Sequence, residues 1–205
     1  MSLSALIGAS GVGVQPRPKA RRKGASRVLR AAHSDAQAGA QSSLWALPAG
    51  SGVADARAAL MALLARVMDS PPAQLYVALE AGVPTQVVQL LADAFNESLA
   101  SFLSLFEISE TTFRRKEEGN QPLPAAASHR VMGFLRSVGK LWRLLQDSGD
   151  VEQLARFDLE AWVSQWIRSP LPEFNGKTPA QMLSNPEGQR AVEDLLERMR
   201  GGLPA

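Results

Sequence analysis

The chain has no cysteine at all. That excludes a disulfide framework, a thiol nucleophile and any zinc site built on thiolates. Histidine is nearly as scarce, with only His33 and His129. His33 lies in a presumed tail and His129 near the start of a long helix with no second histidine nearby, so each reads as an ordinary exposed or satisfied imidazole. No apolar run approaches the ~20 residues needed to cross a bilayer. The opening residues place a weak apolar patch before the positive charges, the reverse of a secretory signal, and the expected location is cytoplasmic. No stretch alternates with period two, which removes strands from the expected architecture. "GASGVG" lacks the following Lys-Ser/Thr of a phosphate loop. The acidic neighbours Glu117/Glu118 and Glu193/Asp194 diverge on a helix instead of facing each other. No acid, base, nucleophile or metal set remains, so a binding protein, not an enzyme, is expected, with no cofactor of its own.

What is present is a 205-residue chain with 45% hydrophobic residues, enough for a real core. The net charge of +2 conceals an asymmetry. Residues 1–35 carry seven basic side chains (Arg17, Lys19, Arg21, Arg22, Lys23, Arg27, Arg30) against Asp35. Taken from totals of 22 and 20, these leave 15 basic and 19 acidic side chains in residues 36–205. Residues 1–52, rich in Gly, Ala, Ser and Gln, are expected to form a flexible basic tail. The tail is either simply solvated or an arm that follows phosphates. Within it, Trp45 with Leu44 and Leu47 is placed to dock on the body.

From Val53 the pattern is helical. Leu60, Leu63, Leu64 and Val67 share one face of a first helix. A second ends at Gly82, and three short helices follow in "PTQVVQLLADAF", "ESLASFLSLF" and "SETTFRRKEEG". The longest helix spans Ala125 to Asp147, with Val131, Leu135, Val138, Trp142 and Leu145 recurring every three or four residues. That stripe suits either a core helix or one shared with a second copy as a dimerisation surface. "DLEAWVSQWI" is a further helix, and two more start at Pro179 and Pro186. The expected fold is all-α, with residues 53–148 as one helical domain and 149–205 as a second.

Two stretches carry binding signals. Residues 99–119 read as a helix-turn-helix, with Ile108 and Phe113 anchoring the second helix and Ser109 capping it. Ser109, Thr111, Thr112, Arg114, Arg115 and Lys116 would face DNA, the last three pairing with phosphates or guanine edges. Two positions depart from the usual pattern. Glu107 occupies the turn position where the backbone goes left-handed and glycine is usual, and Leu103 stands where the helices touch and a small residue is usual. In the second stretch, "NGKTPAQMLSNPEGQRAVEDLLERM", Thr178 precedes Pro179 and Asn185 precedes Pro186. Each is a capping residue followed by proline at the first helical position. The chain thus turns sharply between two stiff helices, which either cap the core or present a pre-ordered recognition surface.

"WIRSPLPEFNGKTPAQMLSNPEGQRAVEDLLERMRGG" resembles the C-terminal toxin-binding domain of the Xre/MbcA/ParS antitoxins. The matching positions are Trp166, Pro170, Pro172, Phe174, Gly176, Thr178, Pro179, Leu183, Glu187, Gly188, Val192, Leu195, Leu196 and Gly202. "ISETTFRRKEEG" and "LPAAASHRVMGFLRSVGKL" resemble that family's degenerate Xre-type helix-turn-helix and dimerisation helix. The resemblance implies a type II antitoxin that blocks a partner toxin, commonly a RES-domain enzyme that consumes NAD or a related ADP-ribosyltransferase. It also implies a homodimer that represses its own operon by binding operator DNA. NAD would belong to the toxin. Phe174 is the expected anchor unless it is buried in its own domain, and Asn175, Lys177, Gln189, Glu193, Arg198 and Arg200, chosen for their expected exposure, are the expected polar contacts to the toxin. The competing reading is a stand-alone dimeric helix-turn-helix regulator.

Overall fold

The computed structural model describes residues 44–47, 53–147 and 157–200 of the chain, with the side chain of Arg200 excepted. Of the expected tail only residues 44–47 are described; its seven basic side chains, His33, residues 148–156 and the terminal Gly201-Gly202 lie outside the described residues. Among the described residues the architecture is all-α, without strands. In chain order the helices are α1 (Val53–Asp69), α2 (Pro72–Ala81), α3 (Thr85–Ala94), α4 (Leu99–Leu105), α5 (Glu110–Glu118) and α6 (Ala125–Asp147). Then come α7 (Leu159–Trp166), a 3-10 turn (Pro172–Phe174), α8 (Pro179–Met182) and α9 (Pro186–Arg200). All of them belong to one compact unit, residues 37–205.

Local chemistry sets the boundaries. Gly82, at φ 85°, ends α2, and Ser98, Ser109, Asp158 and Thr178 each accept a hydrogen bond from the third residue of the helix they begin. α6 starts one residue after Pro124, whose carbonyl accepts from the Ser128 amide at 2.9 Å. The buried Ser128 hydroxyl ties this start to the α2–α3 junction, accepting from the Val83 amide at 3.0 Å and donating to the Leu123 carbonyl at 3.3 Å. The polar groups buried at that corner are thus paired, as a dry site requires.

α6 runs through the middle of the packing, with α1, α2 and α9 laid against it. Leu60, Leu63, Leu64 and Val67 of α1 are fully buried, as the periodicity implies. Phe95, Phe102, Phe106 and Phe134 form an aromatic cluster with ring centroids 5.5–5.9 Å apart, joining α3, α4 and α6. The edge-to-face pairs among them, Phe95–Phe102, Phe102–Phe134 and Phe106–Phe134, add roughly 0.5–1.5 kcal/mol each beyond the area they bury. Leu44 and Trp45 are buried and Leu47 packs against the core. Arg66 holds that segment by donating to the Leu44 carbonyl at 3.1 Å and the Ala46 carbonyl at 2.6 Å.

The stripe on α6 needs correcting as a dimerisation surface. Val131, Leu135 and Val138 are each no more than 2% exposed, consumed by this chain's own core. Trp142 and Leu145, near the helix end, are only partly buried. Periodicity reports that a face is apolar, not whether the same chain or another covers it. No single described helix is long and apolar enough to cross a membrane; α2 and α3 pass such a test only as a pair, and they are bent by 108°.

Candidate partner-binding and nucleic-acid surfaces

α4 and α5 form the expected two-helix unit. Ile108 and Phe113 are buried, Ser109 donates to the Thr112 hydroxyl at 2.8 Å, and its oxygen accepts from the Thr112 amide at 3.2 Å. Ser109 is therefore committed to capping. Thr111, Arg114 and Arg115 are exposed, whereas Thr112 and Lys116 are half-buried, with Lys116 donating to Gln121 Oε1 at 3.2 Å. Glu110, Glu117 and Glu118 are exposed on the same helix, so its three basic side chains are matched by three acidic ones. The turn is left-handed at Glu107, φ 54°, the strained conformation expected where glycine is usual. It is closed by the Ile108 amide donating to the Leu103 carbonyl at 2.8 Å and by Arg130, 2.6 Å from the Glu107 carboxylate. Leu103, the other departure, is buried where the helices meet.

At the C-terminal end, Thr178 and Gln181 form a reciprocal capping box. The Gln181 amide donates to the Thr178 hydroxyl at 3.2 Å, and the Thr178 amide to the Gln181 side chain at 2.9 Å. The side chain of Asn185 accepts from the Gly188 amide at 2.9 Å and so starts α9. The hairpin closes so tightly that a Cβ built on Gly188 would lie 1.9 Å from the Met182 carbonyl oxygen. Only glycine lets α9 begin against the end of α8. Ahead of the hairpin, residues 171–177 form a closed loop. The Leu171 amide donates to the Lys177 carbonyl, and the Gly176 amide to the Leu171 carbonyl, each at 3.0 Å. Asn175 at φ 53° and Gly176 at φ 78° make its tip, with open space around Gly176.

These contacts divide the expected toxin-contact residues. Asn175 and Lys177 are exposed on the loop, and Arg198 is exposed near the end of α9. Phe174 is only 5% exposed and packs in this chain's own core, so it is corrected from anchor to core residue. Gln189 is likewise a structural link, donating to the carbonyls of His129 at 3.2 Å and Leu183 at 3.1 Å. Glu193 pairs with Arg136 of α6 at 2.8 Å. Arg200 has no described side chain.

Other anchoring residues escaped sequence reasoning. Lys140 of α6 lies 3.1 Å from Glu197 of α9, and Glu97, just before α4, is met by Arg168 at 2.7 Å. Burial by itself would raise the Glu97 pKa, but hydrogen bonds from Ser101 and Ser164 and the Arg168 guanidinium outweigh it and hold the carboxyl below its ordinary value. Partners separated by tens of residues leave no local signal. Among the described residues no cluster of three His, Asp or Glu side chains could hold a metal.

Comparison with known proteins assigns both halves. Residues 154–202 match the antitoxin Xre/MbcA/ParS C-terminal toxin-binding domain, and residues 74–136 match the antitoxin Xre-like helix-turn-helix domain. The chain is also 35% identical over 95 residues to the Prs ADP-ribosylating antitoxin of Sphingobium sp. (strain YBL2). That similarity covers 46% of this chain and 58% of the relative. The chain thus carries, in order, a helix-turn-helix domain and a toxin-binding domain of the Xre/MbcA/ParS antitoxin type.

Proposed function

We propose that the chain neutralises a partner toxin by laying the exposed face of its C-terminal domain over the toxin's active site. The toxin would be of the NAD-consuming kind, either a RES-domain enzyme or an ADP-ribosyltransferase-like one, and the complex cytoplasmic. The observation that carries the reading is the closed loop at residues 171–177 beside the capped α8–α9 hairpin, which offers Asn175 and Lys177 on a backbone already ordered. A preordered surface loses little entropy on docking, which favours tight capture. The matched family description and the similarity to an antitoxin point the same way. The test is affinity capture from the native host with the full chain and with Lys177→Glu combined with Arg198→Glu. A stoichiometric enzyme retained by the natural chain and lost by the variant supports the reading; equal retention, or none, refutes it.

A second activity, repression through operator DNA, is favoured by the exposed Arg114 and Arg115 on a capped second helix. The equal number of carboxylates on α5 weakens its field at a phosphate backbone, so most sequence-independent affinity would come from elsewhere. Homodimerisation, which would pair two such helices on half-sites, would use surfaces other than Val131, Leu135 and Val138.

A further inference from the structure

Glu97 lies in the helix-turn-helix segment, and Arg168 lies 71 residues later in the C-terminal domain. Arg168 meets it with both terminal nitrogens, Nη2 donating to Oε2 at 2.7 Å and Nη1 to Oε1 at 3.2 Å. Two hydroxyls complete the carboxylate: Ser164 donates to Oε1 at 2.6 Å and Ser101 to Oε2 at 2.5 Å. The guanidinium is also fixed from its own side, donating to the Ser164 carbonyl and to the Ser101 hydroxyl, each at 2.8 Å. A lone surface ion pair contributes little. A two-pronged pair whose members are each held by further hydrogen bonds specifies one geometry.

That geometry governs the exit from α7. Arg168 follows Ile167, the residue capping α7, whose carbonyl accepts from the Ala180 amide at 3.0 Å, so one short stretch anchors both ends of the loop that carries Asn175 and Lys177. Between the domains runs a cleft of about 390 Å³. Ser104, Leu105 and Glu107 line one wall, Thr178, Ala180 and Gln181 the other, and Ser101 and Arg168 meet in it. The walls do not fill the space between them, and the Glu97–Arg168 fork pins them together.

We propose that Glu97 is a positioning residue for the partner-facing loop, acting from the other domain through Arg168. Its functional meaning rests on the reading of Asn175 and Lys177 as toxin contacts; its structural claim does not.

Amide hydrogen exchange on the full chain, without partner, tests it. In Glu97→Gln the amides of Leu171, Asn175, Gly176 and Lys177 are expected to exchange about tenfold faster, while those of α9 stay within about twofold. Arg168→Gln should reproduce the pattern, and the double variant should exceed neither single one, because both remove the same fork. Unchanged loop exchange, or equal acceleration through α9, overturns the proposal. Should Glu97→Gln not fold, Ser164→Ala removes one arm and leaves the ion pair; a smaller acceleration confined to the loop is expected, and none overturns it. With the captured enzyme in hand, Glu97→Gln is expected to weaken binding by a similar factor, and Lys177→Glu serves as the independent control. If Lys177→Glu binds like the natural chain while the exchange pattern holds, the toxin-contact reading fails and the positioning claim stands.

Discussion

Replacing Gly188 by alanine probes the device that makes the C-terminal domain a hairpin. Two effects oppose each other. Alanine is the better helix former, by roughly 0.5–1 kcal/mol over glycine. Against that, its Cβ would sit 1.9 Å from the Met182 carbonyl oxygen and 2.8 Å from the carbonyl carbon, where real Cβ contacts essentially never fall below 3.0 Å. The obstacle is backbone, which cannot swing aside as a side-chain tip can. Relief needs more than about 1 Å of movement between α8 and α9, and overpacking of buried sites costs about 1–3 kcal/mol. A 1.9 Å approach to backbone belongs at the upper end of that range, so the clash wins, with a net loss of about 2 kcal/mol after the propensity gain. For a chain of this size that is a fall in melting temperature of about 4–8 °C. Gly176→Ala is the control: nothing lies within 4 Å of its Cβ, so its cost is only the left-handed backbone at φ 78°, about 1 kcal/mol. Thermal melts of both variants followed by circular dichroism decide it. Gly188→Ala melting at or above the natural chain would refute the close-approach account of the hairpin.

Further expectations follow from the other contacts. Glu107→Gly relieves a left-handed residue but gives up the pair of an exposed carboxylate with the half-buried Arg130, so a net gain of about 0.5 kcal/mol is expected by urea unfolding; a loss would mean that the ion pair outweighs the strain. Glu97 titrates below its ordinary value of 4.5, so the stability it adds is fully present above that pH and is lost as the pH falls through the lower folded value. The gap in unfolding midpoint between the natural chain and Glu97→Gln should therefore close on acidification from pH 5, and a constant gap would contradict this. If α5 reads DNA, Arg114→Ala with Arg115→Ala should flatten the salt dependence of operator binding by about two units of slope; an unaltered slope would place the DNA contact elsewhere.

The helices were legible in the sequence because their causes are local. Capping oxygens at Ser109, Thr178 and Asn185 and the apolar spacing of Leu60, Leu63, Leu64 and Val67 act within a few residues. The left-handed turn at Glu107 was legible for the same reason. The candidate surfaces were only half legible. Asn175, Lys177 and Arg198 are exposed as expected, but Phe174 turned inward, and Gln189 and Glu193 face α6. A polar residue on an amphipathic helix can point to solvent or to a neighbouring helix, and only the packing of α9 on α6 decides which. Val131, Leu135 and Val138 show the same ambiguity for apolar residues. The Glu97–Arg168 fork exists only once two domains are docked, so nothing nearby in the chain announces it.

The measurement that bears most directly on the account is a titration of the captured enzyme's NAD consumption with the full-length chain, run beside Lys177→Glu with Arg198→Glu. Turnover falling to baseline at a fixed stoichiometric ratio, with the variant needing a large excess, is the result expected of a chain that covers the toxin's active site. NAD turnover that continues unchanged in the presence of saturating, bound chain would contradict it.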